Sequence, residues 1–373
     1  MTGKLFHHIL SFQQMLKGSY IMKKSDETLE KSAENALRAC LSKVPFLRIN
    51  NIRKDPGIRD NKPDLLVKLS VQGIEKELLI EIKSNGQPRR AREAVNQLLR
   101  YQTVFPKAYG VFVAPYISPT ASEICIKEGI GYADLSGNCR LCFEQVFIEQ
   151  TGNPNAFAER RDLRSLYSPK AERVLRVLLS KPEKTWKMKA LANEAGVSLG
   201  QVANVKKLLN DREWIQTDRS GFSLVTPEQL LNEWAGNYTY RKSGICNLYS
   251  LKSVPEIEVS IAEVCRQRKL NYALTGFSGA ARLAPAVRYQ RVFVYIDEAE
   301  KDVVEQMNFK EVQSGANVSI LTPYDEGVFY GVLEVGGVKI ASPIQIYLDL
   351  MGFRGRGEEA ARVLFKQTIR PKW

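Results

Sequence analysis

The apolar positions of this chain switch between two periods, and the switches mark its elements. Residues 25–43, SDETLEKSAENALRACLSK, place Leu29, Ala33, Ala36, Leu37 and Cys40 at helical spacing, with Ser25 and Asp26 ahead of them as caps. DLLVKLSV (64–71) and KELLIEIK (76–83) read instead as strands joined by the turn QGIE. A helix over 89–104, a buried strand at YGVFVAPY (109–116) and a helix over 118–128 follow. YADLSGNCRLCF (132–143) then turns at Ser136-Gly137-Asn138 into another strand. One helix, two strands and then alternating helices and strands predict an α/β domain with a mixed sheet flanked by helices over 25–150.

The polar stretch TGNPNAFAERRDLRS (151–165) reads as a linker. Next come three helical segments, PKAERVLRVLLSKP, KMKALANEAGV and SLGQVANVKKLLNDREW, and a small hairpin, IQTDRSGFSLV, turning at Arg219-Ser220-Gly221. That order predicts a winged helix-turn-helix over 166–227. In its third helix Ser198 is placed to cap, and Leu199, Val202, Val205, Leu208 and Leu209 form the predicted buried stripe. Gln201, Asn204, Lys206 and Lys207 are left on outward or flanking faces. Gln and Asn can read adenine edges and Lys can meet phosphates, with Arg219 at the wing tip as a further DNA contact.

From 228 to 373 a helical stretch, NYALTGFSGAARLAP (271–285) and the strand RVFVYID (291–297) lead to strands at 318–321 and 329–334. A final helix runs through PIQIYLDLMGFRGRGEEAARVLF, so this is a third region, again α/β. Residues 1–24 read as an extension, and no internal repeat is visible.

Composition narrows the chemistry. The chain has 373 residues, 44% hydrophobic and 25% charged, and lacks any apolar run long enough to span a bilayer; no membrane association and a cytoplasmic setting are expected. Cys139 and Cys142 have C-x-x-C spacing, but no second pair or histidine accompanies them as zinc ligands. Both histidines, His7 and His8, lie in the extension, so Ser-His-Asp and Cys-His chemistry are set aside. Catalysis would fall to carboxylates, lysine and a metal. The net charge is +13, and residues 161–190 alone hold nine Lys and Arg against three acids, a bias toward polyanions such as double-stranded DNA.

One constellation suits that chemistry. In a strand alternate side chains share a face, so Glu81 and Lys83 point one way and Ile80 and Ile82 the other. Lys62-Pro63-Asp64 heads the preceding strand, and a hairpin would bring Asp64 near Glu81. Two carboxylates can hold Mg²⁺ (or Mn²⁺), which polarises a phosphodiester and acidifies a bound water, while Lys83 positions that water or meets the developing charge. Arg89, Arg90 and Arg92 add positive charge beside the site for a phosphate backbone. The same Glu81 and Lys83 also read as an ion pair on an edge strand.

Pro63-Asp64 followed by Glu81-Ile82-Lys83 resembles the PD-(D/E)XK nuclease superfamily. That resemblance implies a restriction-endonuclease-like sheet, an extra acidic ligand on the preceding helix at Glu34 (with Glu30 one turn earlier as the fallback), and a role for Gln97 and Tyr101. These two match the Q-x-x-x-Y signature of the RecB-like branch. LTGFSGAARLAPAVRYQRVFVYIDE is similar to a nucleotidyltransferase core, with Gly276-Phe277-Ser278-Gly279 in place of the Gly-Ser turn. Tyr295 replaces the first acid of its D-x-D pair, leaving Asp297, so a fold without transferase activity is implied. The three parts in this order resemble the AbiEi-like antitoxins of type IV toxin–antitoxin systems, carried by VAPYISPTASEICIKEGIGYADLSGNCRL and ASPIQIYLDLMGFRGRGEEAARVLF. Members are thought to repress their own operons and oppose a nucleotidyltransferase-type toxin, and phage defence or mobile-element biology is implied by analogy. Two readings stand: a metal-dependent DNA endonuclease targeted by a winged helix, and a non-catalytic regulator bound to its own promoter.

Overall fold

The computed structural model describes residues 28–54, 62–157, 166–297, 300–353 and 355–373. The extension, both histidines and the cap candidates Ser25 and Asp26 lie outside the described residues. The chain divides near residue 160 into two compact units.

The first unit is built on a mixed seven-stranded sheet whose strands lie in sequence order. A helix over 28–41, α1, precedes β1 (Leu47–Lys54), β2 (Leu65–Val71) and β3 (Ile74–Ile82), which pair antiparallel. Helix α2 (Pro88–Val104) crosses over to β4 (Tyr109–Ala114), which runs parallel to β3, and α3 (Pro119–Lys127) crosses to β5 (Gly131–Asp134), parallel to β4. β6 (Cys139–Phe143) and β7 (Val146–Gln150) close the sheet as an antiparallel meander.

The period of two sorts the side chains of this sheet. Leu65, Val67, Leu78, Ile80, Val111 and Val113 pack with Ala33, Leu37 and Leu41 of α1 on one face. Leu66, Leu79 and Phe112 pack with Ala91, Val95, Leu98 and Tyr101 of α2 on the other. The expected α/β sheet flanked by helices is therefore present. The sequence reading missed β1 and β7. β1 buries only Leu47 fully and its register slips between Ile49 and Asn51, so it shows no clean alternation.

The second unit opens with α4 (Pro169–Ser180), α5 (Met188–Ala195) and α6 (Leu199–Asp211), followed by the hairpin β8 (Ile215–Thr217) and β9 (Phe222–Leu224). Trp186 bridges Phe222 with both main-chain hydrogen bonds, N to O at 2.8 Å and O to N at 3.1 Å, adding a third short strand segment to the wing. This is the winged helix-turn-helix order expected. α7 (Pro227–Asn237) leads into a second seven-stranded mixed sheet, β13-β10-β14-β12-β11-β16-β15 in spatial order. Its strands are β10 (Gly244–Tyr249), β11 (Tyr272–Leu274), β12 (Val292–Ile296), β13 (Lys310–Glu311), β14 (Val318–Thr322), β15 (Leu333–Val335) and β16 (Val338–Ile340). Helices α8 (Val254–Gln267), α9 (Gly276–Leu283), α10 (Glu300–Gln306), α11 (Pro343–Met351) and α12 (Arg356–Leu364) complete the unit. The single final helix expected is thus two helices, broken where Gly355 takes a left-handed φ of 73°.

One continuous core joins the winged helix to the C-terminal sheet, from Val174, Leu178, Leu209 and Phe222 through Leu231 and Trp234 to Val294, Ile344 and Leu348. α4 is buried from Ala171 to Leu179, charged residues included. Arg173 pairs with Asp325 through Nε (2.7 Å) and Nη2 (2.8 Å), and with Glu326. Arg176 is enclosed; it donates to Gln345 Oε1 and to the Tyr324 hydroxyl, and lies over the Trp234 ring at 5.1 Å. Two of the nine cations counted in 161–190 are therefore interior groups, not part of a face offered to a polyanion.

Candidate active site and nucleic-acid interface

Asp64, Glu81, Lys83, Gln97 and Tyr101 converge on the α2 face of the first sheet. Leu65 pairs with Ile80, so Asp64, one residue ahead of β2, stands beside the end of β3 that carries Glu81. Asp64 is held there by the main chain: its Oδ2 accepts from Ile82 N at 2.6 Å. Lys83 Nζ donates to Glu81 Oε1 (2.7 Å) and to Gln97 Oε1 (2.6 Å). The Tyr101 hydroxyl donates to the other Glu81 oxygen, Oε2, at 3.2 Å. Gln97 and Tyr101, one turn apart on α2, thus grip the lysine and the carboxylate respectively, as the i, i+4 spacing permits.

Glu81 is only 4% exposed. Burial raises its pKa above the ordinary carboxylate value and the neighbouring Asp64 charge raises it further, while the bonds from Lys83 and Tyr101 pull it back. A cation between the two carboxylates would relieve that repulsion, and a hard, all-oxygen donor pair is the kind Mg²⁺ or Mn²⁺ takes while keeping several waters. Among the described residues no third His, Cys, Asp or Glu side chain joins this pair as a candidate ligand.

Glu34, expected as a third acidic ligand, does not join them. Its Oε1 accepts from Arg38 Nε (3.0 Å) and Nη2 (2.8 Å), and it sits on α1, whose apolar stripe packs against the opposite face of the sheet. Glu30 pairs with Lys54 at 3.5 Å. The correction follows from the pleat: α1 covers the face of Ile80, whereas Asp64 and Glu81 belong to the face of Leu79.

Sequence reasoning also missed Gly86. A Cβ there would meet the Tyr116 carbonyl oxygen at 2.2 Å, and Gly86 O accepts from Ser118 N at 3.0 Å, so this glycine seats the loop after Lys83 against the segment following β4. Its signal was the Ser84-Asn85-Gly86 turn composition. Of the basic residues beyond it, Arg89 and Arg90 both reach Glu93 (3.4 and 2.6 Å), which offsets part of their charge, and Arg92 is exposed. The first turn of α2 contains no acid, so its cations sit against the helix dipole.

In the winged helix Ser198 Oγ accepts from Gln201 N at 3.2 Å, as a cap should. Val202, Val205, Leu208 and Leu209 are buried; Leu199 is 52% exposed, which corrects the expected stripe. It occupies the first helical position, before the helix reaches the core. Gln201 and Asn204 are half-buried, Lys207 is exposed, and Lys206 lies over the Phe222 ring at 5.0 Å. Arg219 is exposed at the wing tip, where Asp218 Oδ1 accepts from Ser220 N (2.7 Å) and Gly221 N (3.0 Å) and sets the turn.

In the C-terminal sheet Tyr295 is fully buried and donates to Asp349 Oδ1 at 3.0 Å, so the position where a transferase would carry its first acid belongs to the core.

Residues 223–370 match a family model described as transcriptional regulator, AbiEi antitoxin, type IV TA system. Among solved structures, a complex of EndoMS with double-stranded DNA is similar at 15% identity and a TM-score of 0.21, the match covering 28% of this chain and 44% of that one. A repair endonuclease from Pyrococcus abyssi is similar at 15% identity and a TM-score of 0.21, covering 27% and 46%. The chain thus spans less than half the length of either structure. No curated protein matches.

Proposed function

We propose, beside the match of residues 223–370 to the AbiEi antitoxin and transcriptional-regulator model, that the chain binds DNA through its winged helix and hydrolyses phosphodiesters with the Asp64–Glu81–Lys83 group. The observation that carries the hydrolytic half is the assembly itself: an acid pair and a lysine on one sheet face, each tied down by a second partner. A bare ion pair on an edge strand would need neither Gln97 nor Tyr101, and β3 is an interior strand with neighbours on both sides.

Asp64 and Glu81 would hold Mg²⁺ or Mn²⁺, whose contribution is Lewis-acid polarisation of the phosphodiester. Tyr101 and Lys83 between them occupy one position on each Glu81 oxygen, which fixes the plane of the carboxylate. Gln97 prevents Lys83 from folding wholly onto Glu81 and keeps a cation at the mouth of the site, where charge develops on a phosphate in the transition state. Arg89, Arg90 and Arg92 supply sequence-independent contacts to the backbone. In the winged helix Gln201 and Asn204 would face bases, and Lys206, Lys207 and Arg219 phosphates.

The family match favours a second reading, a non-catalytic regulator bound to its own promoter and opposed to a toxin. One experiment separates the two. Supercoiled, linear and single-stranded DNA are incubated with wild type, Glu81→Ala and Lys83→Ala in Mg²⁺ or Mn²⁺, beside a promoter-fragment gel shift. Cleavage by wild type that falls roughly a hundredfold or more in either variant supports hydrolysis. No cleavage by any of the three, with equal promoter shifts, leaves the regulator.

A further inference from the structure

The C-terminal region holds a second constellation, which neither the family match nor the hydrolytic site uses. A cavity of about 580 Å³ opens between α9, the start of β12 and the turn that precedes α12. Phe277, Phe293 and Phe353 line it together with Arg288, Arg291 and Arg356. The ring of Phe353 lies 5.4 Å from Phe277 and 5.0 Å from Phe293, and its stacking on Tyr240 at 4.9 Å anchors the group to the core. No carboxylate is among the described lining residues.

Two of the three arginines are held in place, and none is neutralised by a described residue. Arg291 Nε donates to Ala316 O at 2.7 Å, and Arg356 Nη2 donates to the Arg288 carbonyl. These main-chain contacts orient two guanidinium groups without cancelling their charge. Among the described residues none of the three is in an ion pair, although elsewhere in the same unit arginines such as Arg173 and Arg282 take carboxylates. Three cations gathered at one cavity repel one another, and a multivalent anion removes that cost. Arginine forks match phosphate oxygens in geometry as well as charge.

The glycines of Met351-Gly352-Phe353 and Arg356-Gly357 belong to the same device. A Cβ at Gly352 would meet the Tyr240 ring at 2.8 Å, and one at Gly357 the Leu350 carbonyl oxygen at 2.3 Å. Both glycines allow the chain to pass close enough to the core to present Phe353 and Arg356 to one space.

We propose that this cavity binds a free nucleotide, its base against the phenylalanine rings and its phosphates on Arg288, Arg291 and Arg356. The volume lies in the range of small-molecule sites, and an aromatic wall beside an arginine cluster is the pairing that a base with phosphates requires. The nucleotide is held and not turned over: Tyr295 is sealed in the core, and no acid pair lines the cavity to carry metal-assisted transfer.

Isothermal titration of the full chain with ATP, GTP, CTP and UTP tests this, beside inorganic tripolyphosphate, adenosine and a 5′-phosphorylated oligonucleotide. At least one nucleoside triphosphate is expected to bind saturably, at least tenfold tighter than tripolyphosphate or adenosine. The double variant Arg291→Gln/Arg356→Gln should weaken it at least tenfold, with its circular dichroism and melting temperature reported alongside. Lys189→Gln, on α5 and not among the cavity lining, should leave binding unchanged. The proposal is overturned if no triphosphate binds at millimolar concentration, if tripolyphosphate binds as tightly, if the double variant binds like wild type, or if the oligonucleotide is preferred.

Discussion

Asp349 is enclosed in the C-terminal core and takes bonds from four donors: the hydroxyls of Tyr238 (2.8 Å), Tyr295 (3.0 Å) and Thr275 (2.5 Å) and the Gln345 amide (3.0 Å). Burial raises its pKa above the usual carboxylate value, and the donors draw it back only in part. A carboxyl whose folded pKa is raised binds its proton more tightly in the folded state, so its stabilisation is complete below the unfolded pKa and is lost as pH rises through the folded one. Asp349→Asn keeps the acceptor oxygen without the charge. Urea melts at pH 4, 5.5 and 7 should therefore show the variant gaining on wild type as pH rises. Asp349→Ala strands four donors and is expected to cost about 3 kcal/mol or more at every pH. Gly86→Ala, with its Cβ against Tyr116 O, should cost about 1–3 kcal/mol in the same assay. At this scale the strand period made Asp64, Glu81 and Lys83 legible, because three residues on one face need only local geometry. Glu34 was misplaced because a helix sequence does not say which face of a sheet it will cover. Asp349 was illegible since its partners Tyr238 and Thr275 lie 111 and 74 residues away.

Elements were legible where one apolar face met one core. α2 and α6 show that pattern, and for α6 the capping residue was legible as well. Ser198→Ala removes the bond to Gln201 N and is expected to cost about 1 kcal/mol by denaturant melt, with DNA affinity falling in parallel if this helix reads DNA. β1 escaped notice as a half-wet edge strand with an interrupted register, and β10 for a similar reason, since Gly244, Ile245, Asn247 and Tyr249 are all exposed. α4 misled in the other direction. Its cations were counted toward a polyanion-binding bias, yet Glu172, Arg173 and Arg176 are buried because the helix is packed on more than one side. Arg176→Ala should cost about 3–5 kcal/mol, because Gln345 and Tyr324 lose their donor and the buried Glu172 keeps only Lys242 as a cation.

For the molecule as a whole, the net charge of +13 predicts that the proposed DNA binding is salt-sensitive, with log K falling linearly against log salt. Lys207→Ala should make that slope shallower by about one, read from gel shifts across a salt series. The two-unit division was partly legible. The polar run 151–165 marked the break, but nothing local announced that the winged helix and the C-terminal sheet would share a core, because that core is assembled from residues far apart in sequence.

That shared core decides what can be inherited separately. A winged helix held by a flexible tether can be exchanged between proteins as a cassette, but this one is rooted. Cut free after residue 226, it would leave Arg173 without Asp325 and Arg176 without Tyr324 and Gln345. On the proposed reading, descendants that change the DNA target are thus expected to do so by substitutions on the outward side of α6 and at the wing tip. Residues 172–176 and 324–349 would be passed on as one unit.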